Sequence, residues 1–186
     1  ISQKGFVNIG GGPSGFKNFD AKFFGYSPKE AKYLDPQIRK ALEYAWVAIE
    51  HAGYSPTNFD IPVGAYIASS LNSYFLENLT HIYQAEADEN ERSQMVFLNE
   101  ADFLASKLAY HFNWTGPAFN LKCGCSSSLV AIHEACKGLI NFDCDVALSG
   151  GVAIKPRYQY GYLYEKDGIL SKDGKCSPFS DDASGT

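Results

Sequence analysis

A chain of 186 residues, 45% of them apolar and 20% charged, has the composition of a soluble globular protein and is long enough for one α/β domain or for part of a larger one. Its net charge of −5, with no long run of one sign, excludes the concentrated basic face that nucleic-acid binding needs. No stretch approaches about 18 uninterrupted apolar residues, so no membrane span is expected.

The opening ISQKGFVNIGGGPSGF lacks the basic-then-apolar layout of a secretory leader. The five cysteines, Cys123, Cys125, Cys136, Cys144 and Cys176, are odd in number and sit in apolar or motif-like settings. Free thiols in a reducing cytoplasm fit that pattern better than a disulfide framework.

In chain order, residues 1–34 are rich in Gly, Phe and Lys and read as irregular. GGGPSG (residues 10–15) has the look of a phosphate loop. However, it lacks the GxxxxGK[ST] spacing and no strand precedes it, so it reads as a flexible turn. DPQIRKALEYAWVAIEHAGY (35–54) predicts a helix capped by Asp35, opened by Pro36 and ended by Gly53. Ile38, Leu42, Ala45, Trp46 and Ile49 fall on one face at helical spacing, which packs it on a core.

IPVGAYIAS (61–69) predicts a buried strand, and residues 70–94, aromatic helix-like turns with an acidic tail, a surface excursion. A second helix is expected over 99–112, a strand over 116–123, a third helix over 126–141 and a strand over 144–152. Strand, helix, strand, helix, strand is the order of a largely parallel sheet with helices on its faces. The tail DGILSKDGKCSPFSDDASGT reads as loop and stops without a closing element, as if the chain ended within a domain.

The chemistry concentrates in LKCGCSSSLVAIHEA (121–135), where two cysteines and three serines share six positions at a strand–helix junction. A sulfur at the start of a helix meets unpaired N–H groups that stabilise negative charge. The same groups, with the Cys125 backbone among them, can hold the oxyanion formed when a thiolate attacks a thioester carbonyl. Gly124 permits the sharp turn that an exposed nucleophile needs. Position alone leaves Cys125 either a nucleophile or one more buried small hydrophobe.

Cys123, two residues back along the expected strand, reads as packing, and the serines at 126–128 as helix-start caps. No GxSxG elbow is present, against a serine hydrolase. Cys125 and Cys136 are eleven residues apart, about 16 Å along a helix, too far to share one zinc ion. His133 lies about 12 Å down the same helix and reads as a core or interface residue. His51, His81 and His111 are not placed to meet Cys125 either, so partner histidines are expected beyond residue 186.

CSSSLVAIHEACKGL followed by CDVALSGGV resembles the nucleophile segment of β-ketoacyl synthases, above all the ketosynthase domains of modular polyketide synthases. FDAKFFGYSPKEAKYLDPQIRKALEYAWVAIEHAGY is similar to the family's stretch built around FFG-SP-EA, DPQ and W-A-E-AG, and the tail resembles its S-DG-C-PF loop. The resemblance implies an α/β thiolase-like fold, five layers α/β/α/β/α, of which residues 1–186 cover mainly the first half as the N-terminal portion of a single ketosynthase domain.

It implies further that Cys125 takes an acyl group from the phosphopantetheine of an acyl carrier protein, with no cofactor or metal bound directly. Decarboxylation of a malonyl-type unit then yields a carbanion that attacks the acyl thioester, assisted by two histidines from the family's second half. Phe179 is the acyl-pocket candidate, its alternative being a loop aromatic packed on the core. Asn120, Leu121, Lys122 and Cys123 are dimer-interface candidates, because family members pair through this strand. Other polyketide synthase domains are the remaining partners. A non-condensing transacylase or a scaffolding ketosynthase-like module is the alternative function.

Two departures stand out. Lys122-Cys123-Gly124 replaces the family's Asp-Thr-Ala, and Pro178-Phe179-Ser180 replaces its PFD. Lys29, Lys32, Arg39 and Lys40 form a modest basic cluster, either a greeting for an acidic carrier protein or ordinary solvated helix charges.

Overall fold

The structure, a computed structural model, describes residues 5–12, 15–155 and 160–186. In chain order these form β1 (Phe6–Val7), α1 (Pro28–Tyr33), α2 (Pro36–His51), β2 (Val63–Ser69), α3 (Thr80–Ala85), α4 (Glu89–Asn99), α5 (Leu104–Phe112), β3 (Ala118–Leu121), α6 (Ser127–Ile140), β4 (Val146–Val152) and β5 (Tyr162–Leu163). Residues 16–154 make one compact unit, and the described residues within 1–15 and 155–186 make another.

In the smaller unit β1 and β5 pair antiparallel, Phe6 opposite Leu163. Tyr162 Oη donates to the Ser171 carbonyl at 2.6 Å, and Ser171 is fully buried. Pro13 and Ser14 of the GGGPSG stretch lie outside the described residues, and Gly11 and Gly12 are in neither helix nor strand.

The larger unit begins with a helix that the composition of residues 1–34 concealed. Ser27 and Glu30 form a capping box, the Ser27 hydroxyl accepting from the Glu30 N–H and the Glu30 carboxylate from the Ser27 N–H. The next helix starts as its sequence predicts, with Asp35 accepting from the Gln37 N–H and Pro36 in the first turn. Asp35 is buried, and burial raises its pKa although Gln37 hydrogen-bonds it. The Gln37 amide oxygen in turn accepts from the N–H and hydroxyl of Ser70 at 3.1 and 2.8 Å, tying the start of α2 to the end of β2.

Three parallel strands lie in the order β3-β2-β4. The central strand is buried almost throughout. Its alternate residues face opposite ways. Val63, Ala65 and Ile67 join α2 and α5 in the larger core, where Ile38, Leu42, Leu104, Leu108 and Phe112 are buried with them. Tyr66 joins Ala131, Ala135 and Cys144 under α6.

Residues 70–94 run largely over the surface, as predicted, with only Leu79 and Ala87 of them buried. Residues 75–79 form one wide helical turn, followed by α3 and α4, and Leu79, Met95 and Leu98 are buried in the larger core. The helix expected over 99–112 is split by a 3-10 turn at Ala101–Phe103. The buried Lys107 of α5 spans that break, donating from Nζ to the Phe97 carbonyl in the last turn of α4 at 2.7 Å and lying 3.6 Å from the Phe97 ring centroid. Burial pulls its pKa down to about 8.

The reading of the basic cluster as solvated charges holds for Lys29 and Lys32, which are exposed, and is corrected for the other two. Arg39 and Lys40 are buried. Arg39 donates to the Leu34 carbonyl through Nε and Nη2, and Lys40 to the Asn18 carbonyl. Lys29 pairs with Glu91 across α1 and α4. Those three cations are engaged within the chain.

Helix α6 meets the sheet closely at Gly138. A Cβ there would overlap the Tyr66 hydroxyl and lie 3.0 Å from Tyr66 Cζ. Alanine gains about 1 kcal/mol of helix propensity over glycine, whereas overpacking a closed core costs about 1–3 kcal/mol. Gly138→Ala is therefore expected to lower the denaturation midpoint, and to lower it less in a Tyr66→Phe background. A neutral or stabilising Gly138→Ala in urea unfolding contradicts this packing.

Candidate active site

Register places the carboxyl ends of the three strands on one edge, with Ala68 opposite Leu121 and Ser69 opposite Val152. Ligands of open parallel sheets bind at that edge. The chain leaves β3 at Leu121 and enters α6 at Ser127, so residues 122–126 lie there.

The strand is shorter than its sequence suggests, because Cys123 already departs from extended geometry with φ −126° and ψ 37°. Gly124 follows at φ +61°, in the left-handed region that glycine enters without strain. A 3-10 turn over Gly124–Ser126 then delivers the chain into α6, with Cys125 at its middle.

Serine hydroxyls hold this turn. Ser126 Oγ donates to the Cys123 carbonyl at 2.8 Å. Ser127 Oγ donates to the Gly124 carbonyl at 2.7 Å and accepts from the Cys123 N–H at 2.8 Å. They bond back onto the turn instead of forward onto the helix N–H groups, which corrects the expectation of helix caps. The run of three serines signalled hydroxyls at the junction but not their direction.

Cys125 is exposed, against the reading as a buried hydrophobe. Cys123 is exposed too, which corrects its reading as packing: with the strand ended at Leu121, it does not continue into the sheet. All five cysteines are free thiols, and Cys144 alone is buried.

The other candidates fall as follows. Asn120 lies in β3, its Oδ1 accepting from the Ala105 N–H at 2.9 Å and its Nδ2 donating to the Asp102 carbonyl, so it ties the strand to the start of α5. Sequence reading did not find that role. Leu121 is half-buried beneath α6. Lys122 pairs with Asp102 at 3.4 Å, both side chains more than half exposed, an ion pair worth little in water. Phe179 belongs to the smaller unit, stands fully exposed at φ +61°, and is not packed on a core.

His133 is exposed, which corrects its reading as a core residue, and His51 and His81 are exposed as well. His111 is spent on aromatic packing, 5.2 Å from the Phe24 ring and 5.0 Å from the Phe112 ring, and burial lowers its pKa. Among the described residues no group of three or more His, Cys, Asp or Glu side chains is placed to hold a metal ion, and no helix is long and apolar enough to cross a membrane.

Known proteins match this arrangement. Residues 6–186 match the family described as Beta-ketoacyl synthase, N-terminal domain. The chain is 40% identical over 177 residues to one of the subunits of the phenolphthiocerol/phthiocerol polyketide synthase of Mycobacterium tuberculosis, covering 92% of this chain and 12% of that protein. It is 39% identical over 171 residues to a non-reducing polyketide synthase of Stachybotrys bisbyi, covering 90% of this chain and 7% of that one.

Among solved structures it is similar to ketosynthase twelve of the bacillaene polyketide synthase of Bacillus amyloliquefaciens. That match has a TM-score of 0.84 and 28% identity over 98% of this chain and 31% of that chain. The module 1 ketosynthase of the bacillaene synthase from the same species gives a TM-score of 0.79 and 31% identity over 98% of this chain and 32% of that one. The chain thus spans about an eighth or less of these two curated relatives and about a third of these ketosynthase structures.

The turn generates its own test. Ser127→Ala removes the acceptor of the Cys123 N–H, and one hydrogen bond is worth about 0.5–1.5 kcal/mol net. The Cys123 amide is expected to exchange roughly 2- to 10-fold faster with solvent deuterium. Unchanged exchange by mass spectrometry would show that the hydroxyl does not hold the turn.

Proposed function

The chain belongs to the β-ketoacyl synthase family, with a thiolase-like α/β fold, and from that premise we propose that residues 1–186 are the N-terminal portion of one polyketide ketosynthase domain whose acyl-carrying nucleophile is Cys125. The observation that carries this reading is the exposed thiol at the middle of a three-residue turn, between the carboxyl end of a parallel strand and the start of a 14-residue helix.

The Cys125 sulfur attacks the thioester carbonyl of an acyl chain presented on the phosphopantetheine of an acyl carrier protein. The tetrahedral oxyanion rests on backbone N–H groups at the turn, the Cys125 N–H among them, and the carrier thiol leaves. A malonyl-type thioester then loses CO2, and its carbanion attacks the Cys125 thioester. The sulfur is released and the carrier holds a β-ketoacyl product. The histidines that polarise the malonyl thioester belong to the second half of such a domain, in keeping with His111 being packed among aromatic rings and the other three histidines being exposed here.

Exposed Leu129, Ile132 and Ile140 on α6 support a partial domain, since a second α/β half stacked on that helix would cover them. Edge strand β3, with Asn120, Leu121, Lys122 and Cys123 at and beyond its end, is the contact for a homodimer. Further synthase domains are the other partners, and the setting is the cytoplasm.

A second reading, a non-condensing transacylase or scaffold, is favoured by the substitutions at Lys122, Cys123 and Ser180. Intact-mass measurement of the full natural protein after exposure to an acyl-pantetheine thioester tests the covalent step. Wild type is expected to gain one acyl mass and Cys125→Ala none. No gain in folded wild type overturns the nucleophile assignment. A gain without a β-ketoacyl product on adding a malonyl carrier selects the transacylase.

A further inference from the structure

Two exposed thiols separated by one left-handed glycine make a feature that acyl transfer to Cys125 does not use. The second, Cys123, is pinned by its own backbone, its N–H on Ser127 Oγ and its carbonyl on Ser126 Oγ. Gly124 has no atom within 4 Å of where a Cβ would stand, so its φ of +61° and not crowding is what asks for glycine. Cys123 and Cys125 thus flank a left-handed residue in a turn that two serine hydroxyls hold.

Two steps of about 3.8 Å with a turn between them bring Cα atoms within the roughly 4.4–6.8 Å over which a disulfide closes. The buried Cys144 is not accessible to a peroxide in the folded chain, and Cys136 lies eleven residues along α6. Cys123 is thus the thiol nearest in chain to Cys125, and neither is buried by residues 1–186 themselves.

We propose that Cys123 is a resolving thiol for Cys125, so that hydroperoxides convert the pair reversibly into a Cys123–Cys125 disulfide. The inference rests on Cys125 being the reactive cysteine of the proposed function and adds a modification to the same site. The Cys125 thiolate attacks the terminal peroxide oxygen, the O–O bond breaks, and hydroxide leaves from hydrogen peroxide, or alkoxide from an organic hydroperoxide. Sulfur is oxidised by two electrons to the sulfenic acid while the peroxide is reduced. The Cys123 thiolate then attacks the Cys125 sulfur, the S–O bond breaks with loss of hydroxide, which is protonated to water, and the S–S bond forms. A dithiol reductant reverses it by exchange. Without a neighbouring thiol, excess peroxide carries a sulfenic acid on to the sulfinic and sulfonic forms, which a dithiol does not reduce.

The test treats the full natural protein with hydrogen peroxide, alkylates remaining thiols under denaturing conditions, and maps the peptide spanning residues 121–137 with and without dithiothreitol. Wild type is expected to lose two hydrogens within that peptide, at Cys123 and Cys125, and to regain both alkylatable thiols after reduction. Cys123→Ser and the bulkier Cys123→Thr are expected to give sulfinic or sulfonic Cys125 with no recovery. A linkage from Cys125 to Cys136 or Cys176 instead, no loss of hydrogens in wild type, or equal recovery in the Cys123 variants overturns the proposal. Acyl loading measured on the same samples before peroxide separates the two readings. A protein that forms the disulfide but takes no acyl group keeps the resolving thiol and loses the nucleophile assignment. One that loads acyl groups but forms no disulfide does the reverse.

Discussion

Helix α6 lies against its sheet at a distance set by a side chain that is missing. The ring of Tyr66 rises from the central strand into the room that Gly138 leaves, and Ala131 and Ala135 keep the rest of that helix face low. The phenol is buried with Cys144 beside it, which pushes its pKa well above the usual tyrosine range and keeps it neutral where a charge would be costly. At the other end of the helix its first residue, Ser127, reaches back to the turn at Cys123 and Gly124, beside the close approach of Ser128 to Gly151 of β4. The turn that carries the exposed thiols is thus bonded to a helix seated closely on the sheet at both ends.

The parts of the fold that sequence revealed are those where one period governs. The apolar spacing of Ile38, Leu42, Ala45 and Ile49 describes a helix whose buried face is the observed one. The alternation of strands and helices anticipates a parallel sheet, and parallel pairing is found. Where several weak signals compete, sequence shows the surface and conceals its anchors. Residues 70–94 are polar enough to look like surface, yet Leu79 enters the core from that segment and Met95 follows just beyond it. Three or four apolar residues spread over short helices leave no stripe to detect. The capping box at Ser27 was hidden in a glycine-rich stretch although its spacing was present.

At the site, residue type was legible and local geometry was not. A cysteine between a strand and a helix, next to glycine, pointed to Cys125. Its neighbour Cys123 reads as packing only if strand alternation continues past Leu121, and the left-handed glycine and two hydroxyls end the strand there. The burial of two α2 charges is hidden from sequence for a related reason. Arg39 and Lys40 sit in a helix whose amino-terminal half is enclosed, and backbone carbonyls at Leu34 and Asn18 satisfy them. No periodicity in a sequence announces a carbonyl that arrives from elsewhere.

Lys107 turns the break between α4 and α5 into something that senses alkalinity. In an unfolded chain a lysine holds its proton to about pH 10.4, whereas here it gives it up near 8. Between those values the unfolded chain carries more protons than the folded one, so this residue's contribution to stability rises with pH across the window. Below about 8 the penalty of enclosing an ammonium is present in full, offset by the Phe97 carbonyl and two aromatic rings. A neutral amine still has hydrogens to give that carbonyl. The fastening between these helices therefore outlasts the charge on its nitrogen, and mildly basic solution relaxes a strain without undoing the joint.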